Sequence, residues 1–168
     1  GNQCLITMQK FSDGGKYFTG NRCERGIGKA KREERETANI YDYKYKRLFA
    51  YYKPLTGAAA PRGAIGLPRG LNMYEDYPFW FTFFTQLGYE VVLSDKSSAA
   101  LYYKGMATVP SDSLCYPAKL VHGHIMDLVE KGVRKIFYPC IPFNVIDEQH
   151  PGDNHYNCPV VASYAENI

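Results

Sequence analysis

A chain of 168 residues, 45% hydrophobic and 22% charged, is long enough for one ordinary core plus a small appendage. Its net charge of +3 is too small for the strongly basic face that nucleic-acid recognition needs, and no apolar run reaches the length of a membrane span. Fifteen tyrosines and nine phenylalanines supply large, partly amphipathic burial instead. The start, Gly1-Asn2-Gln3-Cys4, is polar, carries no secretory signal and lacks an initiator methionine, so the chain reads as a piece of a longer protein. Five cysteines, an odd number, argue against a secreted disulfide scaffold and for a cytoplasmic protein with metal or redox chemistry.

Residues 1–28 read as a small β-hairpin. Leu5-Ile6-Thr7-Met8 and Lys16-Tyr17-Phe18-Thr19 are β-prone, and Ser12-Asp13-Gly14-Gly15 is a strong turn signal between them. A two- or four-residue loop there sets Cys4 opposite Cys23, about 5 Å apart at Cα. That is within reach of a disulfide or of two ligands on one metal ion, so the hairpin is a candidate metal-binding ribbon. Residues 29–60 read as a charged linker followed by an amphipathic helix. Asn39 caps that helix, which runs through Tyr52 with Ile40, Tyr41, Leu48, Phe49 and Tyr52 on its buried stripe, and Pro54 ends it.

Residues 61–168 read as an α/β three-layer domain, cut short at its C-terminus. Ala64-Ile65-Gly66-Leu67 is a short strand, followed by a loop at Arg69-Gly70. The aromatic stretch from Tyr77 to Leu87 reads as a helix, with Glu75 and Asp76 at its start, Pro78 in its first turn and Gly88 at its end. Tyr89–Leu93 is a buried strand and Ser98–Gly105 a short helix; Ala107-Thr108-Val109 is then expected to end a further strand. After Cys115, Pro117 opens a helix with apolar Leu120, Val121, Ile125, Leu128 and Val129, and Lys131-Gly132 stops it. Ile136-Phe137-Tyr138 forms another strand, broken at Pro139. This alternation is the signature of a doubly wound parallel, Rossmann-like sheet. It predicts Cys115 and Cys140 at one edge, beyond the carboxyl ends of two strands, where open α/β folds hold ligands.

The separations between Cys115, Cys140 and Cys158 match no compact metal motif, but the loop to Cys158 is long enough to return to that edge. Three soft thiolates with an open fourth position suit an iron–sulfur cluster; the rival reading is three small hydrophobes. Lys119, one helical turn beyond Cys115, is placed to lower a thiol pKa or hold an anion. Arg69 and its loop are placed to bind phosphate or CoA. His122 and His124 lie two apart on a helix and cannot form an i, i+4 metal pair. No phosphate loop, dinucleotide fingerprint or hydrolase elbow is present in the sequence.

Several long stretches carry a family resemblance: Arg62-Gly-Ala-Ile-Gly-Leu-Pro-Arg-Gly-Leu-Asn-Met-Tyr-Glu-Asp-Tyr-Pro-Phe-Trp-Phe-Thr-Phe-Phe84, Ser113-Leu-Cys-Tyr-Pro-Ala-Lys-Leu-Val-His-Gly-His124, Phe137-Tyr-Pro-Cys-Ile-Pro142 and Asn157-Cys-Pro-Val-Val161. They resemble the uncharacterised domain of large CoA-substrate-specific enzyme activases, proteins of the 2-hydroxyglutaryl-CoA dehydratase activator type. Gly20-Asn-Arg-Cys-Glu-Arg-Gly26 is similar to the segment preceding that domain. In such proteins the activase hydrolyses ATP to drive a low-potential electron into a dehydratase, whose α/β domains hold a cluster by cysteines at sheet edges. The resemblance implies a cluster-holding or electron-transfer module, with Cys115, Cys140 and Cys158 as iron–sulfur ligands and zinc at a separate Cys4–Cys23 hairpin. It implies as partners an ATPase module of the same longer chain and a CoA-dehydratase or related acceptor. With no ATPase motif in this stretch, no independent catalytic activity is assigned to it. The alternatives are a zinc-ribbon and α/β interaction module that docks a dehydratase, and a CoA- or nucleotide-binding domain built on Arg69.

Overall fold

The computed structural model describes residues 5–20, 38–145, 152 and 154–168. The chain divides into two units, residues 1–40 and 41–168.

In the first unit β1 (Thr7–Lys10) pairs antiparallel with β2 (Lys16–Thr19), matching Thr7 with Thr19 and Lys10 with Lys16. The Phe11 amide donates to the Gly15 carbonyl at 2.9 Å and the Gly14 amide to the Phe11 carbonyl at 3.1 Å. The turn is therefore a three-residue loop with Gly14 in the left-handed region (φ 85°), where the sequence suggested two or four residues. That moves the register by one from the pairing that sets Cys4 against Cys23. Cys4 and Cys23 themselves lie outside the described residues.

The second unit is a mixed α/β arrangement. Helix α1 (Ile40–Phe49) is shorter than expected, and none of its residues is buried. Ile40 and Tyr41 are exposed, so the predicted stripe is reduced to Phe49 and, beyond the helix, Tyr52, both packed against the core. Strand β3 (Ala64–Leu67) pairs in parallel with β4 (Glu90–Leu93), in register from Ala64–Glu90 to Leu67–Leu93. Between them runs α2 (Met73–Gln86). It begins before the expected start, which puts Pro78 inside the helix rather than in its first turn.

The period of two along β3 decides which layer each side chain joins. Ile65 and Leu67 join Val91 in a cluster with Met73, Tyr77, Phe81 and Phe84, a stripe at helical spacing on α2. Gly66 faces the opposite way, under Leu128 and Val133. Leu128 belongs to α4 (Tyr116–Glu130), which packs closely with α3 (Ala99–Gly105).

Helices α2 and α4 end alike. Gly88 and Gly132 take φ of 82° and 79°, and the residue after each donates back into the helix, Tyr89 to Phe84 at 3.0 Å and Val133 to Leu128 at 3.1 Å. This is the Schellman closure, which turns each chain back toward the sheet.

Among the described residues the expected doubly wound sheet is not seen; two two-stranded sheets are. Beyond β3 and β4, the Ile136 segment adds one parallel bridge, to Gly66, held by Gly66 N–H to Lys135 O at 2.7 Å and Phe137 N–H to Gly66 O at 2.9 Å. Pro139 stops the ladder there, because proline brings no N–H to it. The strand expected at Ala107–Val109 is instead a 3-10 helix, Met106–Thr108, continuing directly from α3. Thr108 Oγ1 donates to the Gly105 carbonyl at 2.9 Å, which holds that turn wound, and Pro110 follows. Among the described residues, no helix is long and apolar enough to cross a membrane.

Candidate functional site

Cys115 and Cys158 occupy equivalent positions. Each is the N-cap of a helix with proline in the first turn, Cys115 before α4 and Cys158 before α5 (Pro159–Ser163). Their backbones match closely, φ −63° and ψ 149° against φ −61° and ψ 155°. Cys115 reaches the site as a helix cap and not as the end of a strand, which corrects the expected route. Because α4 leads into a segment parallel to β3, its N-terminus lies toward the carboxyl end of the sheet.

Cys140 follows Pro139 where the Ile136 segment leaves β3. The next residues pair with the approach to α5: Ile141 N–H donates to Val161 O at 3.1 Å, and Asn157 N–H to Pro142 O at 2.9 Å. The Asn157 carboxamide adds a bond to Ile141 O at 2.9 Å. These bonds bring the Cys140 and Cys158 stretches side by side.

Two phenols of this region have raised pKa values. Burial, then Cys140, Tyr164 and Cys158, push the Tyr138 hydroxyl up to about 12. Burial and then Cys115 raise Tyr164. All three thiols are free and exposed. Among the described residues, no three His, Cys, Asp or Glu side chains stand close enough to hold one metal ion.

Tyr164 is held from behind by His122, which is buried. Thr108 Oγ1 gives its proton to the Gly105 carbonyl, so it accepts from His122 Nδ1–H at 2.8 Å. The free lone pair of His122 Nε2 then accepts the Tyr164 O–H at 2.6 Å. Burial lowers the imidazole pKa, in keeping with this neutral tautomer. Lys119, one helical turn from Cys115, donates to the Asp112 carbonyl at 2.8 Å.

A second network was not visible in the sequence. His124, fully buried, bonds Ser94 through Nδ1 at 2.8 Å and Ser97 through Nε2 at 3.0 Å. Buried Asp127 accepts the Asp95 amide at 2.8 Å and is flanked by Lys104 and Lys131 at 2.7 and 2.8 Å. Burial alone would raise Asp127, but these partners outweigh it and bring the carboxyl down to about 2. Ser94 to Ser97 follow β4, and the network fastens that loop to α4. The one available signal was the polar run Ser94-Asp95-Lys96-Ser97-Ser98 at a strand end, which has many other readings.

Arg69 leaves β3 with its amide donating to Ser94 Oγ at 2.8 Å. Its guanidinium lies 4.8 Å over the Phe49 ring and donates to the Tyr45 hydroxyl. It lines a cavity of about 450 Å3 with Gly70, Asn72, Asp76, Asn144 and Asn157. The cavity adjoins the thiol edge, since Asn157 immediately precedes Cys158.

A small parallel sheet with helices packed on it, exposed thiols and a polar cavity make this a mixed α/β domain. The particular family follows from sequence: residues 64–168, more than half of the chain, match the CoA enzyme activase uncharacterised domain (DUF2229), and the chain belongs to that family. No curated protein and no solved structure matches it.

Proposed function

We propose that this domain is an iron–sulfur holding or electron-transfer module of a CoA enzyme activase-type protein, with Cys115, Cys140 and Cys158 as its thiolate ligands. The supporting observation is that Cys115 and Cys158 are both exposed helix N-caps and that the Cys140 and Cys158 stretches are hydrogen-bonded side by side. The donor set fits such a group. All three donors are soft sulfur, and a polynuclear cluster takes thiolates at separate irons, so it does not require the close grouping of a single-ion site. The bound cluster would supply one-electron transfer at low potential.

The chain's own residues position the thiols. The α4 N-terminus and Lys119 place positive charge near Cys115, where it would offset the charge of a bound cluster. Pro139 and the Ile141–Val161 bond set Cys140 beside Cys158. Tyr164 directs its proton to His122, so its oxygen offers lone pairs to the thiol side. An ATPase module of the same longer chain and a CoA-dehydratase or related acceptor are the electron donor and acceptor in this reading.

The test is metal and sulfide analysis of the full protein prepared without oxygen. A brown protein containing iron and sulfide is expected, and Cys115→Ser or Cys140→Ser should remove both while circular dichroism stays unchanged. Iron content unaltered in both variants would refute the ligand assignment. Colourless protein with stoichiometric zinc would favour the docking-module reading instead.

A further inference from the structure

The cavity beside the thiol edge is lined by two charges that form no ion pair among the described residues. Arg69 lines one part of it, at the carboxyl end of β3, and its Nε is buried without a hydrogen-bond partner. Asp76 lines another part, on α2. No ion pair among the described residues includes either one. Glu75 differs, being matched by Lys44. Burial, and then Glu75, raise the Asp76 carboxyl above its ordinary value, which is the behaviour of a carboxylate lacking a cation.

The remaining walls are neutral and polar. Asn157 Nδ2 donates to Asn144 Oδ1 at 3.2 Å, and Asn72 contributes a further carboxamide whose side chain caps no helix amide. Leu71, at the floor, holds φ at 49°, a left-handed conformation unusual for a branched side chain and characteristic of constrained functional loops. The volume of about 450 Å3 falls within the usual range for small-molecule sites.

These features exclude several ligands on charge. A polyphosphate, as in CoA or a nucleotide, would set several negative charges against Arg69 alone and meet the unpaired Asp76. A bare metal ion would meet Arg69. An uncharged ligand would leave both half-buried charges without a partner. The complement is a molecule carrying one carboxylate and one ammonium group.

We propose that this cavity binds a polar α-amino acid, its carboxylate on Arg69, its ammonium on Asp76, and its side chain against the carboxamides of Asn144 and Asn157. The inference concerns the cavity charges and not the thiols, so it stands or fails independently of iron content.

Calorimetric titration of the full chain with L-serine, L-asparagine and L-glutamine tests it. Saturable binding of at least one is expected. Its counterpart without the ammonium group and its counterpart with the carboxylate converted to an amide should each bind at least about tenfold more weakly, as should Arg69→Met and Asp76→Asn. Asp76→Asn preserves shape, so it remains decisive if Arg69→Met fails to fold. Absence of saturable binding by all three amino acids would overturn the proposal. So would equal affinity for the analogue lacking the ammonium group, unchanged affinity in Asp76→Asn, or displacement by CoA or ATP.

Discussion

Gly105 and Gly123 meet backbone to backbone where α3 crosses α4. A Cβ on Gly105 would stand 2.2 Å from the Gly123 nitrogen, and one on Gly123 would stand 2.1 Å from the Leu101 carbonyl oxygen. Neither neighbour is a side chain that can swing aside.

This crossing inverts the ordinary effect of a glycine substitution. In an exposed helix, Gly→Ala stabilises by about 1 kcal/mol. Here Gly123→Ala is expected to destabilise by about 3 kcal/mol or more, because the two helices must separate. Urea unfolding measures it, and a midpoint at or above the parent's would show that the crossing is looser than described.

Acid should weaken the fold well before carboxylates are protonated. Burial, with Arg69 adding to it, holds the His124 imidazole down at about 4 against an ordinary 6.5. The unfolded chain therefore takes up a proton below pH 6.5 that the folded chain refuses until about pH 4. This contribution is complete above the unfolded value and is lost as pH falls toward the folded one. Between pH 7 and pH 5 the loss is about 2 kcal/mol, with His122 acting in the same direction. Asp127, brought down to about 2, loses its contribution only at lower pH. Denaturant midpoints at pH 7, 6 and 5 check this, and no decline over that range would contradict a neutral buried His124.

Asp127 is 1% exposed while Lys104 and Lys131 are 34% and 33% exposed, so the carboxylate sits inside and its cations reach in from the surface. Asp127→Asn keeps the shape and removes the carboxylate that both lysines share, leaving Lys104 with Glu130 and Lys131 with Asp95. The expected cost is about 2–3 kcal/mol, below that of breaking a fully buried pair because water screens the lysines. Double-mutant cycles with Lys104→Met and Lys131→Met should return coupling for each pair; zero coupling in both would reduce the network to a surface feature.

What the sequence made legible was local. Pro117 and Gly132 bracket α4 closely, and Ser98 caps α3 with its side chain accepting the Leu101 amide at 3.1 Å, because caps act within one turn. The sheet was harder to read. Ala107-Thr108-Val109 is β-prone, yet the end of α3 and the Thr108–Gly105 bond keep it helical, a tertiary setting that propensity does not record. The same limit hid His124 and Asp127, since their partners Ser94, Ser97 and Lys104 lie far away in sequence. Arg69 reads in the sequence as a candidate phosphate or CoA ligand, whereas the presence of Asp76 in the same cavity becomes visible only in three dimensions.

The paired closures at Gly88 and Gly132 govern more than helix length. With strands of four residues and a third contributing a single bridge, ladder hydrogen bonds have little power to prevent slippage. Alignment is instead inherited from the helix ends, each of which delivers its strand at a fixed count after a glycine. A one-residue insertion between Gly132 and Ile136 would therefore carry Cys140 out of phase with Cys158, even though it touched neither cysteine.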